Sequence, residues 1–227
     1  MHAGDIGVQA GRAGTVTVTW FGHACFLLAS DDGLRVLMDP FDETVGYRLP
    51  AVRADVVTVS HEHFDHGNVG VVQGSPQVLK GVGEHSIRGA RFRGIQTYHD
   101  EQRGAKRGTN TVFVIEMKGI TFCHLGDLGH IPSDDAIDSW GRVDVMMAPV
   151  GGVYTIDAAG ALMLVRRVKP RVVIPMHYKT PSLKFPLAGP EEFLRGIAQV
   201  QRPAGREYIV SADRLPAETT AVVLRYQ

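Results

Sequence analysis

Short apolar segments separated by polar turns recur along the chain, and their spacing predicts β-strands. Val16 to Trp20 alternates valine with threonine, the period-2 pattern of a strand. Val56 to Val59 is continuous and rich in valine, as expected for a strand covered on both faces. Thr111 to Met117 and Ile120 to His124 flank the turn Lys118-Gly119 and predict a hairpin. Further strands are predicted at Cys25 to Ala29, Leu34 to Met38, Gln77 to Leu79, Ile95 to Tyr98, Val143 to Ala148, Arg171 to Pro175, Glu207 to Ser211 and Thr220 to Arg225.

Two segments show helical spacing. Asp157 to Val168 begins with an N-cap residue, and Pro190 to Gln201 carries proline near its first turn. A short helix or turn is predicted over residues 67–70. A strand meander followed by mixed strand and helix units indicates an α/β fold of two sheets with helices outside. The predicted buried face of the first helix consists of Ala158, Ala161, Leu162 and Val165.

The length and charge of the chain limit its domain organisation and its class of partner. The chain has 227 residues, which favours one domain over residues 15–227, preceded by a flexible tail over residues 1–14. Lys plus Arg and Asp plus Glu each number 24, and this balance argues against a dedicated nucleic-acid binder. No apolar stretch has the length of a signal sequence or membrane span, so we expect a cytoplasmic protein.

Residues 61–66, with the sequence His-Glu-His-Phe-Asp-His, place three imidazoles and a carboxylate directly after a predicted strand. Such imidazoles would repel one another when charged, and neither residue type suits a core. Neutral imidazole and ionised carboxylate are instead preferred metal ligands. In an extended segment His61, His63 and Asp65 share one face, whereas His66 points elsewhere. One loop can therefore serve two adjacent metal ions.

Three more candidate ligands follow predicted strands. His99 follows the strand ending at Tyr98, Asp127 lies just past the hairpin, and His177 follows the strand ending at Pro175. Sheet proteins of this type bind ligands beyond the carboxyl ends of their strands. Each residue alone is a weak signal, but their order behind residues 61–66 strengthens the prediction of a metal site.

In this order of ligands, the chain resembles the metallo-β-lactamase superfamily over most of residues 16–225. The resemblance implies an αββα sandwich of two mixed β-sheets with helices on the outer faces. It also implies two divalent metal ions, with Zn²⁺ or Mn²⁺ favoured and Fe²⁺ compatible. Carried over by motif, metal 1 would be held by His61, His63 and His99, metal 2 by Asp65, His66 and His177, and Asp127 would bridge the two ions.

A closer similarity is to a subgroup of predicted metal-dependent hydrolases that includes ascorbate-6-phosphate lactonase. The third of residues 61–66 is His63, whereas flavodiiron oxygen-reducing relatives carry glutamate at this position. An oxygen-reducing site is therefore disfavoured. The stretches that carry the subgroup similarity are residues 20–26 (WFGHACF), 38–41 (MDPF), 124–130 (HLGDLGH), 149–155 (PVGGVYT) and 175–178 (PMHY).

The implied activity is hydrolysis of an ester, lactone or phosphodiester of a small metabolite, phosphorylated or not, by a hydroxide held between two ions. Catalytic roles are expected for Asp65, Asp127 and His130, the last as a general acid or a phosphate contact. Two alternatives stay open: a nuclease, and a non-catalytic metal-binding protein of the same fold. The expected partner is a small-molecule substrate rather than nucleic acid or a membrane, and self-association into a homo-oligomer is compatible with this assignment.

Several neighbouring residues have weaker interpretations. His124 and His23 are candidates for orienting ligands, and Cys123 is expected to be a buried strand residue rather than a ligand. Gly151 and Gly152 are expected to allow the backbone to approach the metal centre closely. Tyr154 and Tyr178 are candidates for the pocket wall.

Overall fold

Fourteen strands form two mixed β-sheets in the computed structural model, which describes residues 14–226. The predicted tail over residues 1–14 therefore falls almost wholly outside the described residues. The strands are β1 Thr15–Gly22, β2 Cys25–Ser30, β3 Arg35–Met38, β4 Val56–Val59, β5 Gln77–Lys80, β6 Gly83–Ile87, β7 Ala90–Tyr98, β8 Thr109–Met117, β9 Ile120–His124, β10 Val145–Pro149, β11 Val172–Met176, β12 Gln199–Gln201, β13 Glu207–Ser211 and β14 Thr220–Val222.

The first sheet has six strands in the order β13-β1-β2-β3-β4-β5. Pairing is antiparallel from β13 to β3 and parallel from β3 to β5. The second sheet has eight strands in the order β12-β14-β11-β10-β9-β8-β7-β6. Its strands from β12 to β9 are parallel, and those from β9 to β6 are antiparallel. The predicted hairpin is the β8–β9 pair.

Alternation along the strands divides the apolar residues of the first sheet between two faces. Val36 and Met38 of β3 join the large core that also contains the second sheet. Leu37, between them, faces a smaller cluster on the opposite side. That cluster is completed by residues of the irregular segments 41–54 and 183–187. The two sheets therefore share one core, which confirms the predicted α/β sandwich.

The α-helices are few: α1 Asp134–Asp138, α2 Ala158–Val168 and α3 Glu191–Arg195. The Asp157 side chain accepts a hydrogen bond from Gly160 N–H and caps α2, as the sequence predicts. The buried residues of α2 are Ala158, Ala161, Leu164 and Val165, whereas Leu162 is only half-buried. Among residues 14–226, no helix is long and apolar enough to span a bilayer.

The helix predicted over Pro190 to Gln201 is wrong in its second half. The helix ends at Arg195, and an added Cβ at the following Gly196 would lie 2.4 Å from a Leu162 side-chain carbon. Residues 199–201 instead form β12, which pairs in parallel with β14. Pairing with a strand distant in sequence overrides local helical spacing here.

Candidate metal centre

The predicted ligands meet at one edge of the sheets because their strands end there. Strands β9 and β11 are both parallel to β10, and β7 runs in the same direction because two antiparallel pairings separate it from β9. The residues after β7, β9 and β11 therefore reach the same edge. These residues are His99, Asp127 and His177, and the loop 61–66 after β4 approaches from the first sheet.

The first ligand group consists of His61, His63 and His99. Each offers one ring nitrogen, and these atoms all lie within 4.8 Å of one another. His61 and His99 are buried, whereas His63 is exposed towards a cavity of about 520 Å³. This group is the predicted metal 1 triad.

The second group contains Asp65, His66 and His177, the predicted metal 2 triad, and also His23. All four residues are buried. His23 Nε2 lies 3.2 Å from Asp65 Oδ2, and the His23 and His177 ring centroids are 4.2 Å apart. The sequence indicates that His23 is a candidate for orienting a ligand, and the structure places its ring within hydrogen-bond distance of Asp65.

Asp127 lies between the two groups and contacts both. Its Oδ2 is 3.3 Å from His99 Nε2 and 3.3 Å from His177 Nε2. Its Oδ1 is 3.2 Å from His66 Nε2. One carboxylate thus reaches members of each triad, which is the arrangement expected of a bridging ligand.

The donor set fits divalent cations. His61 Nε2, His66 Nε2 and Asp127 Oδ1 are buried without a hydrogen-bond partner. Buried polar atoms rarely lack partners, and these three residues also form a group whose ligand atoms lie within 4.8 Å of one another. Imidazole nitrogen and carboxylate oxygen suit Zn²⁺, Mn²⁺ and Fe²⁺.

Hydrogen bonds on the far side of two rings aim these nitrogens inwards. Asp39 Oδ2 accepts a hydrogen bond from His66 Nδ1 at 2.8 Å, and Ser60 Oγ lies 3.0 Å from His61 Nδ1. Asp39 is fully buried and also accepts hydrogen bonds from Ser60 N–H and Ser60 Oγ. Such outer partners fix the tautomer and orientation of ligating histidines. Sequence reasoning placed Asp39 only at a strand end, although it lies within one of the stretches that carried the family resemblance.

Asn110 is another residue that sequence reasoning missed. It lies in β8, where its Oδ1 accepts a hydrogen bond from Asp127 N–H at 2.9 Å. Its Nδ2 donates to Leu125 O and to Thr97 Oγ1. Asn110 therefore fixes the backbone of the loop that carries the bridging carboxylate.

The pKa values of the candidate ligands differ because their surroundings differ. Burial, together with the nearby His66, lowers the pKa of His61 to about 3. Burial opposes ionisation of Asp127, but His177 and His66 hold its pKa well below the usual value. Burial also disfavours a charged His66, yet Asp127 and Asp39 raise its pKa well above the usual value. His61 is thus ready to bind metal at neutral pH, whereas His66 keeps a proton that metal must displace.

Three residues other than glycine adopt left-handed backbone conformations at this centre. They are His23, with φ of 52°, Asp39, with φ of 47°, and His177, with φ of 49°. His177 N–H also donates to His23 O at 3.1 Å, which joins two of the strained residues directly. Residues other than glycine rarely adopt this region, and they do so mainly at functional sites.

Two glycines allow the close approach of the loops. A Cβ at Gly129 would lie 2.2 Å from the His99 carbonyl carbon, and one at Gly151 would lie 2.3 Å from His177 O. The expectation that Gly151 allows close backbone approach is therefore confirmed. Gly129 was not predicted to have this role.

The remaining candidates are placed as follows. His130 packs against Tyr98, with ring centroids 5.5 Å apart, and is not among the residues that line the cavity at the metal ligands. His124 Nε2 donates to Ala24 O, and its Nδ1 accepts a hydrogen bond from Gly126 N–H. Cys123 is buried in β9, outside the metal-ligand groups of the described residues, as expected. The predicted catalytic role of His130 stays a prediction.

Comparison with known proteins agrees with this geometry. A family model described as a beta-lactamase superfamily domain matches residues 17–177. The chain belongs to this superfamily. Among superfamily members, a metal-dependent hydrolase of Thermoplasma acidophilum is 33% identical over 202 residues, covering 78% of this chain and 88% of the relative. A metal-dependent hydrolase of Methanoculleus marisnigri is 33% identical over 204 residues, covering 79% and 88%.

A solved structure extends the comparison. A Thermotoga maritima protein, assigned to the Zn-dependent hydrolases of the metallo-beta-lactamase superfamily, superposes with a TM-score of 0.76 at 37% identity. The match covers 92% of this chain and 100% of that chain. The short form of human tRNase Z has a TM-score of 0.54 at 12% identity and shows the shared fold alone. These relatives support the assignment of this superfamily member as a metal-dependent hydrolase.

Proposed function

We propose that this protein is a dinuclear metal-dependent hydrolase that cleaves an ester, lactone or phosphodiester bond of a small molecule. The observation that carries the proposal is Asp127, whose two oxygens reach histidines of both ligand groups within 3.3 Å. Zn²⁺ and Mn²⁺ are the favoured ions, and Fe²⁺ is compatible with the same ligands.

A small substrate is favoured by the shape of the site. The cavity at the ligands measures about 520 Å³, within the range of about 300–1,000 Å³ that is typical of small-molecule pockets. His63, Asp65, His99, Asp127 and His177 all line it. The chain has a formal net charge of zero, so a basic surface of the kind that nucleases need is not indicated.

Divalent ions at this centre would lower the pKa of a water molecule towards neutrality and polarise the bond under attack. Asp127 would hold the two ligand groups at a fixed distance from each other. Asp65, whose side chain is 12% exposed, would accept a hydrogen bond from the attacking water and so orient it. Burial disfavours ionisation of Asp65, but its hydrogen bond with His23 lowers its pKa below the usual value, so the carboxylate is ionised at neutral pH.

Metal removal tests the proposal. Purified protein would be treated with a chelator, checked for retained fold by circular dichroism, and reloaded with Zn²⁺ or Mn²⁺. A panel of lactones, thioesters and cyclic and linear phosphodiesters would be assayed at each stage. We expect hydrolysis to vanish with the metal and to return with two ions per chain. Full hydrolysis by metal-free protein would refute the mechanism, and two bound ions without hydrolysis of any substrate would favour a non-catalytic metal-binding protein.

A further inference from the structure

Arg107 lines the same cavity as the metal ligands and has a free positive charge. Its guanidinium carbon lies 5.5 Å from the centre of the Tyr154 ring, a cation–π distance. Within residues 14–226, no carboxylate forms an ion pair with it. Glu62, which also lines the cavity, is paired with Lys80 at 2.8 Å. A half-buried guanidinium without a counter-ion beside a substrate cavity is suited to an anionic group of the substrate.

The loop that carries Arg107 is held in place by Asp100. The buried Asp100 carboxylate accepts hydrogen bonds at 2.8–2.9 Å from the backbone N–H groups of four residues, which are Gln102, Gly104, Lys106 and Arg107. The Arg107 backbone is therefore fixed relative to His99, the residue before Asp100. A fixed position lowers the entropy lost when the guanidinium binds an anion.

Aromatic residues form the adjacent wall of the cavity. The ring centroids of Tyr154 and Phe185 are 6.0 Å apart, and those of Phe64 and Phe185 are 6.4 Å apart. Phe64 is 55% exposed, so much of its ring is accessible to a molecule bound in the cavity. The wall thus presents an apolar surface to the cavity that the metal ligands and Arg107 also line.

We propose that Arg107 and this aromatic wall form a substrate-binding subsite. The subsite binds an ester or lactone that has an apolar or aromatic body. This substrate also carries an oxyanion, either a carboxylate or a phosphate, away from the bond that is cleaved. The oxyanion binds the Arg107 guanidinium, and the apolar body packs on Phe64, Tyr154 and Phe185. This inference rests on the proposed hydrolase function for its substrate, but the binding itself is measurable without hydrolysis.

Binding is tested first, on metal-loaded protein by calorimetry, with three probes of similar length. They are 4-phenylbutyrate, 3-phenylpropylphosphonate and the neutral 4-phenylbutyramide. Arg107→Gln should weaken binding of the preferred anion about 10- to 100-fold relative to the amide, as expected for loss of charge-assisted hydrogen bonds. Arg107→Lys should retain part of the preference. The carboxylate and phosphonate arms show which oxyanion is favoured.

Arg103→Gln is the matched control, because Arg103 is exposed on the same loop and does not line the cavity. It removes the same charge and should leave the anion preference unchanged. Phe64→Ala should weaken acid and amide equally. Equal anion preference in wild type and Arg107→Gln, as would occur if the anion bound only at the metals, would overturn the subsite.

Hydrolysis is tested second, with mono-4-nitrophenyl glutarate and the neutral 4-nitrophenyl pentanoate. Arg107→Gln should reduce the ratio of the two kcat/KM values about 10- to 100-fold, and Arg103→Gln should not change it. If wild type binds the anions through Arg107 but cleaves neither ester, the subsite stands and ester hydrolysis as the function fails. If it cleaves both esters with a ratio that Arg107→Gln does not alter, the function stands and the subsite fails.

Discussion

His23 Nε2 lies 3.2 Å from Asp65 Oδ2, and both side chains belong to the second ligand group. Burial, together with His177, lowers the pKa of His23 to about 4, so its ring is neutral at pH 7. A neutral ring that donates to a carboxylate holds that carboxylate in one rotamer. His23, which lies in the turn between β1 and β2, is therefore a positioning residue for Asp65.

We expect His23→Ala to weaken binding of the second metal by about 10- to 100-fold, the usual effect of losing an outer hydrogen-bond partner of a ligand. The measurement is metal content after dialysis against a graded competitor. His23→Gln, which keeps an N–H donor, should recover part of the affinity. His85→Ala serves as the control, because His85 is an exposed histidine of β6. Wild-type affinity for both ions in His23→Ala would exclude the positioning role.

Asp127→Ala should release both metals rather than one, because Asp127 contacts members of both ligand groups. The loss of rate should exceed the roughly 10- to 100-fold effect of an outer partner. His63→Ala is the comparison, since His63 belongs only to the first group. It should mainly affect the first metal. Stoichiometry by elemental analysis decides the matter, and two ions retained in Asp127→Ala would refute the bridge.

Metal binding at pH 7.5 should release a proton from His66. Asp127 and Asp39 raise the pKa of this buried imidazole, so it stays protonated above the usual pKa of about 6.5, and metal must displace that proton. Affinity should therefore fall as pH decreases. His61, with a pKa lowered to about 3, should contribute no proton at this pH. Calorimetry in buffers with different ionisation heats counts the protons.

The Asp39→Asn variant tests whether Asp39 is the reason that His66 keeps this proton. It removes one of the two carboxylates that stabilise the charged His66 ring but removes no metal ligand. The pH above which proton release disappears should shift downwards in this variant. An identical proton-release profile in both proteins would show that Asp39 does not set the charge of His66.

Gly151→Ala should displace His177, because the new Cβ would lie 2.3 Å from His177 O. We expect a loss of about 1–3 kcal/mol in the free energy of unfolding, together with weaker binding of the second metal. Gly205→Ala is the control, since an added Cβ there meets nothing within 4 Å. Its effect should stay within about 0.5 kcal/mol. Equal denaturation midpoints and metal affinities for the two variants would contradict the steric argument.

Local sequence was sufficient for most of the strands and for seven candidate metal ligands, but it did not predict β6 or β12. The strands are marked by alternation that any half-buried sheet requires, and residues 61–66 combine groups that suit a metal better than a core. The prediction that His99, Asp127 and His177 are metal ligands was strengthened by their order along the chain and by the family resemblance. The helix predicted over Pro190 to Gln201 failed because β12 pairs with β14, which is distant in sequence.

The tertiary structure alone decided which partner each supporting residue has, and it alone showed the roles of Asp39 and Asn110. His23, Asp39 and Asn110 lie 42, 27 and 17 residues from the partners they orient, and no local pattern connects them. The same holds for Arg107 and Tyr154, which meet only when loops after different strands reach one edge. Periodicity along a chain encodes which face is buried, whereas hydrogen bonds between loops depend on strand order and direction. The candidate metal ligands were therefore evident in the sequence, whereas the contacts that hold them in place became evident only in the fold.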